Sequence, residues 1–203
     1  MHRRVYISAD YALDSGDRNV VDELNKWGTD SLHKVDFTDM AKVVSGSVAE
    51  NPDCRPCDLK EEFNQQINLA SIVLCVIGDK TSIRTAGSKC ERVNKKMVEC
   101  SCTPYKQNVN GSMSCKIQQV YTPEPDEDVG CINSYSYLRH EFEQAKRKGK
   151  EIIVLYNSMR KESLWLPKYM QEYEYSARPF WTKNLIGKKV GDYTYIKKAL
   201  KFE

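Results

Sequence analysis

The sequence predicts an α/β fold, in which a parallel sheet of about five strands is flanked by helices. Three short apolar runs support this, because each is nearly continuous rather than alternating, as expected for strands that are covered on both faces. Amphipathic helical patterns lie between the runs, and strands that alternate with helices favour a parallel sheet. The chain has 203 residues, enough for one such domain, so we expect residues 1–203 to form a single domain.

The elements follow the hydrophobic pattern in chain order. The strand candidates share runs of Val, Ile and Leu: residues 5–8, 72–77 and 152–156, with a weaker candidate at 34–38. Helices are predicted where apolar residues recur every three or four positions: residues 20–27, 59–69, 137–145 and 195–200. Asp58, followed by Glu61 three residues later, is typical of an N-cap and predicts the start of the second helix.

A long segment, residues 82–133, interrupts this rhythm. Connections between a strand and a helix usually take about 2–6 residues, so we interpret the segment as an insertion within the domain. It contains the acidic, proline-rich stretch at 123–128, which we expect to be a solvated loop. It also holds five of the eight cysteines: Cys90, Cys100, Cys102, Cys115 and Cys131.

Composition excludes several classes of protein. The net charge is +3, too weak to indicate a nucleic-acid partner, which usually requires a concentrated basic face. No apolar run approaches the roughly 18–20 residues of a membrane helix, and the N-terminus lacks the apolar core of a secretory signal. We therefore expect a cytoplasmic protein with no membrane or nucleic-acid partner, whose thiols are reduced.

Ligands of open parallel sheets bind at the carboxyl ends of the strands, which directs attention to the residues that follow them. Ser8, Asp10 and Tyr11 stand at the end of the first strand, and Gly46 is expected in the loop after the second. The helix after the insertion presents further polar groups. Tyr137 and Glu141 lie one helical turn apart on it and share a face, whereas His140 is expected to be exposed.

These motifs, taken in order, resemble those of the TIR-like domains of the bacterial Thoeris anti-phage defence system. The first strand ends in a small polar residue, the third ends in Val76-Ile77-Gly78-x-x-Thr81, and the later helix carries Tyr137-x-x-x-Glu141-Phe142 before a basic end and a strand. The resemblance covers about residues 4–82 and 134–157. Tyr137 stands where that family usually has Trp.

The resemblance implies a TIR/flavodoxin-like fold and an enzyme that cleaves NAD at the nicotinamide–ribose bond. It implies that Glu141 is the catalytic carboxylate and that Ser8, Asp10, Tyr11, Gly46 and Tyr137 contact the substrate. The product would be an ADP-ribose-derived, cyclic signalling nucleotide that acts on a separate effector. A phage-derived trigger and a homo-oligomer are also implied, and no metal or cofactor is expected besides NAD as substrate.

Two other interpretations stay open at this stage. The same fold could serve as a TIR-type interaction module without turnover, with the insertion as its contact surface. Alternatively, the cysteines of the insertion could bind zinc and organise a regulatory protein, although they lack the usual C-x2-4-C spacing. Cys54-Arg55-Pro56-Cys57 is a C-x-x-C motif, but no predicted strand directly precedes it, which disfavours a redox pair.

Overall fold

The structure is a computed structural model that describes residues 3–11, 16–29, 35–39, 55–84, 106–107, 113–114 and 136–201. At its centre lies a five-stranded parallel sheet. Its strands in chain order are β1 (Arg3–Ser8), β2 (Val35–Asp39), β3 (Ile72–Ile77), β6 (Glu151–Tyr156) and β7 (Arg178–Pro179). Two short antiparallel pairs complete the set: β4 (Lys106–Gln107) with β5 (Met113–Ser114), and β8 (Trp181–Lys183) with β9 (Lys189–Gly191).

The spatial order of the sheet is β2-β1-β3-β6-β7. Counting only these five strands, the order is 2-1-3-4-5, which is that of the flavodoxin-like doubly wound fold. The direction of winding reverses between β1 and β3, where Ser8 stands opposite Cys75 in the register. In such sheets the crevice at this reversal, at the carboxyl ends of the strands, is the usual place for a ligand. The predicted fold class is therefore confirmed.

Helices cover both faces of the sheet. They are α1 (Arg18–Thr29), α2 (Arg55–Leu69), α3 (Tyr137–Arg147) and α4 (Tyr193–Ala199). Short 3-10 helices occupy Thr81–Ile83, Ser163–Trp165 and Lys168–Tyr173. One apolar cluster unites α1 and α4 with one face, and a second unites α2 and α3 with the other face.

Two sequence predictions about local structure are wrong. Helix α2 begins at Arg55, so Asp58 lies inside the helix and is not its N-cap. Pro56 is compatible with this early start. The N–H groups of the first helical turn have no intrahelical acceptor, and proline has no N–H group that would need one. His140 is also buried rather than exposed, at 5 %, because its Nε2 lies 2.9 Å from Asn64 Oδ1 of α2.

The predicted insertion is described only at residues 82–84, 106–107 and 113–114, where Lys106 pairs with Ser114. Its five cysteines lie outside the described residues, as do Gly46 and Cys54. Among the helices that the structure describes, none has the length and apolar character needed to cross a membrane.

Candidate active site

Helix α3 places Glu141 beneath the sheet. Ser136 caps the helix, because its hydroxyl accepts a hydrogen bond from the Arg139 N–H at 3.0 Å. Leu138, three positions before Glu141, and Ala145, four positions after it, are both buried. This spacing puts the carboxylate within the apolar stripe of the helix, and Glu141 is only 3 % exposed.

The groups around the Glu141 carboxyl come from the central strands. Tyr6 and Ser8 project from β1 toward it, and Cys75 projects from β3 on the same face. Burial raises the pKa of Glu141 to about 8, and the nearby Ser8 and Tyr6 hydroxyls oppose that rise. The carboxyl is therefore mostly protonated at neutral pH in this state.

The pKa values of the buried neighbours of Glu141 are also shifted. Burial raises the pKa of the Tyr6 hydroxyl and that of the Cys75 thiol, and the Glu141 carboxylate raises both further. Burial likewise raises the pKa of Tyr169, which lies near Ser136. The thiol is thus held neutral, which makes Cys75 a poor nucleophile.

Several oxygens in this cluster lack hydrogen bonds of standard geometry. Among the described residues they include Tyr6 Oη, Ser8 Oγ, Glu141 Oε2 and Tyr169 Oη, all buried. A buried polar atom without a partner costs about 1–3 kcal/mol. The Ser8 and Tyr6 hydroxyls nevertheless lie close enough to the Glu141 carboxyl to lower its pKa, and a concentration of such buried polar atoms around one carboxyl requires an explanation, of which a catalytic role is one.

The residues predicted to follow β1 take different positions. Ser8 is fully buried beside Glu141. Asp10 is 9 % exposed and forms an ion pair with Arg84, whose Nε lies 2.5 Å from Asp10 Oδ2. The Tyr11 hydroxyl donates to the Ile7 carbonyl at 3.4 Å. The structure brings Ser8 to the carboxylate, whereas Asp10 pairs with Arg84. Tyr11 packs against the apolar clusters and contacts the backbone of β1.

Tyr137 packs at the start of α3. Its ring meets Phe63 of α2 edge-on, with the ring centroids 5.6 Å apart. It lies one turn before Glu141 and contacts the same apolar cluster. Tyr137 therefore borders the site from the α2 side.

A second polar cluster at the carboxyl edge escaped the sequence analysis. Asn157 Nδ2 donates to Asp17 Oδ1 at 2.8 Å, and Trp181 Nε1 donates to Asn157 Oδ1 at 2.7 Å. Burial raises the pKa of Asp17 to about 6, and a Cβ on Gly78 would approach Asp17 Oδ1 to 2.5 Å. Sequence position could have identified these residues, since Asn157 directly follows β6 and Asp17 directly precedes α1.

Comparisons of the chain with known protein families, with curated proteins and with solved structures find no match. Among the described residues, no group of three or more His, Cys, Asp or Glu side chains is arranged to hold a metal ion. What the site can do must be inferred from Glu141 and the hydroxyls and thiol around it.

Proposed function

We propose that this chain is a TIR-like enzyme that cleaves NAD at the nicotinamide–ribose bond. The observation that carries the proposal is the position of Glu141. A single carboxyl group lies beside Ser8 at the carboxyl end of β1, where the strand order reverses. This is the place at which open parallel sheets usually bind nucleotides.

The chemistry requires one carboxylate. Nicotinamide leaves as a neutral group because the bond electrons cancel the positive charge of its ring, so no general acid is needed. The ribosyl group that remains has oxocarbenium character, and a nearby carboxylate stabilises its positive charge. Water then attacks the anomeric carbon and releases a proton to give ADP-ribose, or an internal nucleophile attacks and gives a cyclic product.

Burial of Glu141 adds a condition to this mechanism. The protonated carboxyl of the resting site has no negative charge to offer, and its pKa of about 8 keeps it in that form at neutral pH. The cationic nicotinamide ring favours the ionised form when it approaches, as any nearby positive charge does. A dinucleotide also reaches this carboxyl only after the side chains that cover it move.

The remaining parts of the proposal come from the resemblance. Ser8, Asp10, Tyr11, Gly46 and Tyr137 would contact the substrate, a second copy of the chain would complete the assembly, and a phage-derived trigger would start turnover in the cytoplasm. The nucleotide product would act on a separate effector in anti-phage defence. Among the described members of this set, Ser8 lies beside Glu141, and Tyr11 and Tyr137 pack against the apolar cluster around it.

Chromatography of nicotinamide tests the proposal. Purified protein is incubated with NAD, with and without lysate of phage-infected cells, and nicotinamide and nucleotide products are quantified. We expect release with the unaltered chain, a loss of about 10²–10³-fold in Glu141→Gln, and unchanged release in the matched control Glu143→Gln on the same helix. Equal release by Glu141→Gln would overturn the assignment of the catalytic residue.

The near-complete burial of Glu141 favours a second candidate, a TIR-type interaction module without turnover. In that case Glu141 is a neutral member of the core. The same experiment separates the candidates, because the module gives no nicotinamide above the lysate background with any variant.

A further inference from the structure

The β8–β9 hairpin exposes a large apolar surface at its tip. Leu185 is fully exposed and Ile186 is 84 % exposed, although they are adjacent aliphatic residues. Single exposed apolar residues are common on protein surfaces, whereas this pair is contiguous and is rimmed by polar residues, as apolar patches at interaction sites are.

The exposure is built into the turn. The Asn184 side chain accepts hydrogen bonds from the N–H groups of Ile186 and Lys188, at 3.2 and 2.9 Å. Gly187 has φ +79°, a conformation that glycine adopts without strain, and its N–H donates to the Asn184 carbonyl. Because these bonds fix the turn, Leu185 and Ile186 are held outward by the backbone.

The flanks of the tip are positively charged. Lys183 and Lys189 stand directly opposite each other in the hairpin register, so their side chains share one face. Like charges in this position destabilise a hairpin. The strands and their turn, residues 181–191, contain three lysines and no acidic residue. None of the three lysines forms an ion pair with another residue that the structure describes.

An anionic partner would relieve this repulsion. We infer that the hairpin tip is a peripheral membrane contact, in which Leu185 and Ile186 enter the interface of an anionic bilayer and Lys183 and Lys189 bind its headgroups. Lysine stems suit this role, since they lie along apolar surface while the ammonium group stays in water. A bilayer yields to a convex apolar tip at any point, so no shaped pocket is required.

Other partners fit these residues less well. Nucleic-acid bases stack on aromatic side chains or arginine, and the tip offers neither, while Trp181 is covered by the Lys189 ammonium at 4.3 Å from its ring centroid. An acidic groove on another protein would satisfy the lysines, but it would have to provide a matching apolar pocket. The expectation of no membrane partner rested on the lack of a membrane-length apolar run and of a secretory signal, and a two-residue apolar tip such as Leu185 and Ile186 gives neither signal.

The contact would also orient the domain. Strand β8 begins where β6 ends, since the Trp181 N–H donates to the Ser158 carbonyl at 3.1 Å and the Phe180 N–H donates to the Tyr156 carbonyl at 2.9 Å. The hairpin thus starts at the carboxyl edge of the sheet, and a membrane bound there would face that edge. The inference does not rest on the proposed NAD chemistry.

Vesicle flotation tests the inference. The probes are vesicles of phosphatidylcholine alone and of phosphatidylcholine with about 30 % phosphatidylserine, at about 0.1 and 0.5 M NaCl. We expect binding only to the anionic vesicles and only at the lower salt concentration. Each lysine near the surface changes partitioning about fivefold, so Lys183→Gln/Lys189→Gln should weaken binding about 25-fold. Leu185→Ser/Ile186→Ser should weaken it about a hundredfold, because two aliphatic side chains no longer leave water on binding.

The control is Leu164→Ser, which alters another strongly exposed leucine, at 95 %, and should bind as the unaltered chain does. All altered side chains are exposed, and circular dichroism confirms that each variant is folded. Failure of the unaltered chain to bind anionic vesicles overturns the inference, as does binding that both double variants retain. Binding to a polyglutamate peptide but not to vesicles, lost in both double variants, would instead assign the hairpin to an acidic protein partner and also overturn it.

Discussion

The two faces of the central sheet bury different chemistry. Under α1 and α4 the strands present aliphatic side chains such as Val5, Ile7 and Leu74, whereas the face under α2 and α3 includes Tyr6, Ser8 and Cys75 beside Glu141. Of the six buried side-chain oxygens that lack a hydrogen bond of standard geometry among the described residues, five belong to the second face. The second face therefore combines its apolar cluster with polar groups that are concentrated around one carboxyl group.

The largest difference between the two faces should appear in how the free energy of unfolding depends on pH. The pKa of Glu141 is about 8 in the folded chain against an ordinary value of 4.5, so the unfolded chain ionises first. The stability that Glu141 contributes is then fully present below about pH 4.5 and is lost as the pH rises to about 8, by an amount on the order of 5 kcal/mol. Urea unfolding of the unaltered chain and of Glu141→Gln, measured from pH 4 to 9, checks this.

We expect Glu141→Gln to remove the slope above about pH 6 and to be the more stable protein at pH 8. Below about pH 6 the unfolding free energy of Glu141→Gln should still depend on pH, because burial raises the pKa of Asp17 only to about 6. An unchanged slope between pH 6 and 8 would show that Glu141 is not buried in protonated form.

A pair of neighbouring residues on β3 compares the faces directly. Leu74 and Cys75 are both fully buried but point to opposite sides of the sheet. Leu74→Ala should cost about 2–5 kcal/mol, because it leaves a cavity in the aliphatic face. Cys75→Ala removes one sulfur and should cost about 1 kcal/mol. Equal losses in urea unfolding at pH 6 would contradict the distinction between the faces.

The edge shared by both faces is sensitive to a single methyl group. A Cβ at Gly78 would lie 2.5 Å from Asp17 Oδ1, so Gly78→Ala should destabilise the chain by about 1–3 kcal/mol. The Asp17→Ala background removes the clash. A double-mutant cycle in thermal or urea unfolding should therefore give a coupling of at least about 0.5 kcal/mol, and additive losses would refute the close contact.

The smallest effect is expected at Ser8. Its hydroxyl opposes the rise in the pKa of Glu141, so Ser8→Ala should raise that pKa further. The pH at which the unfolding free energy stops falling should then move to a higher value, with little change in stability at pH 4. An unchanged pH would mean that Ser8 does not interact with the carboxyl, and a shift to a lower pH would mean that it favours the protonated form; either result contradicts the prediction.

The sequence predicted elements whose signal is local. Near-continuous apolar runs located β1, β3 and β6, and helical spacing predicted that Tyr137 and Glu141 share a face of α3. The near-complete burial of Glu141 was not predicted, because it depends on the strands that α3 packs against. The two-residue β7 (Arg178–Pro179) was missed, because its identity depends on pairing with β6 rather than on its own composition. The burial of His140 was missed for a similar reason, since it depends on Asn64 of a helix far away in the chain.

The central claim is that the Glu141 carboxylate promotes the cleavage of NAD by stabilising the ribosyl cation. The most direct test is the ratio of nicotinamide release by the unaltered chain to that by Glu141→Gln, at pH 6 and pH 8 with infected-cell lysate as trigger. We predict a large ratio at pH 8 and a smaller one at pH 6, because protonation makes the unaltered carboxyl resemble the neutral amide. A ratio of one at pH 8, with nicotinamide formed above the lysate background, would contradict the claim.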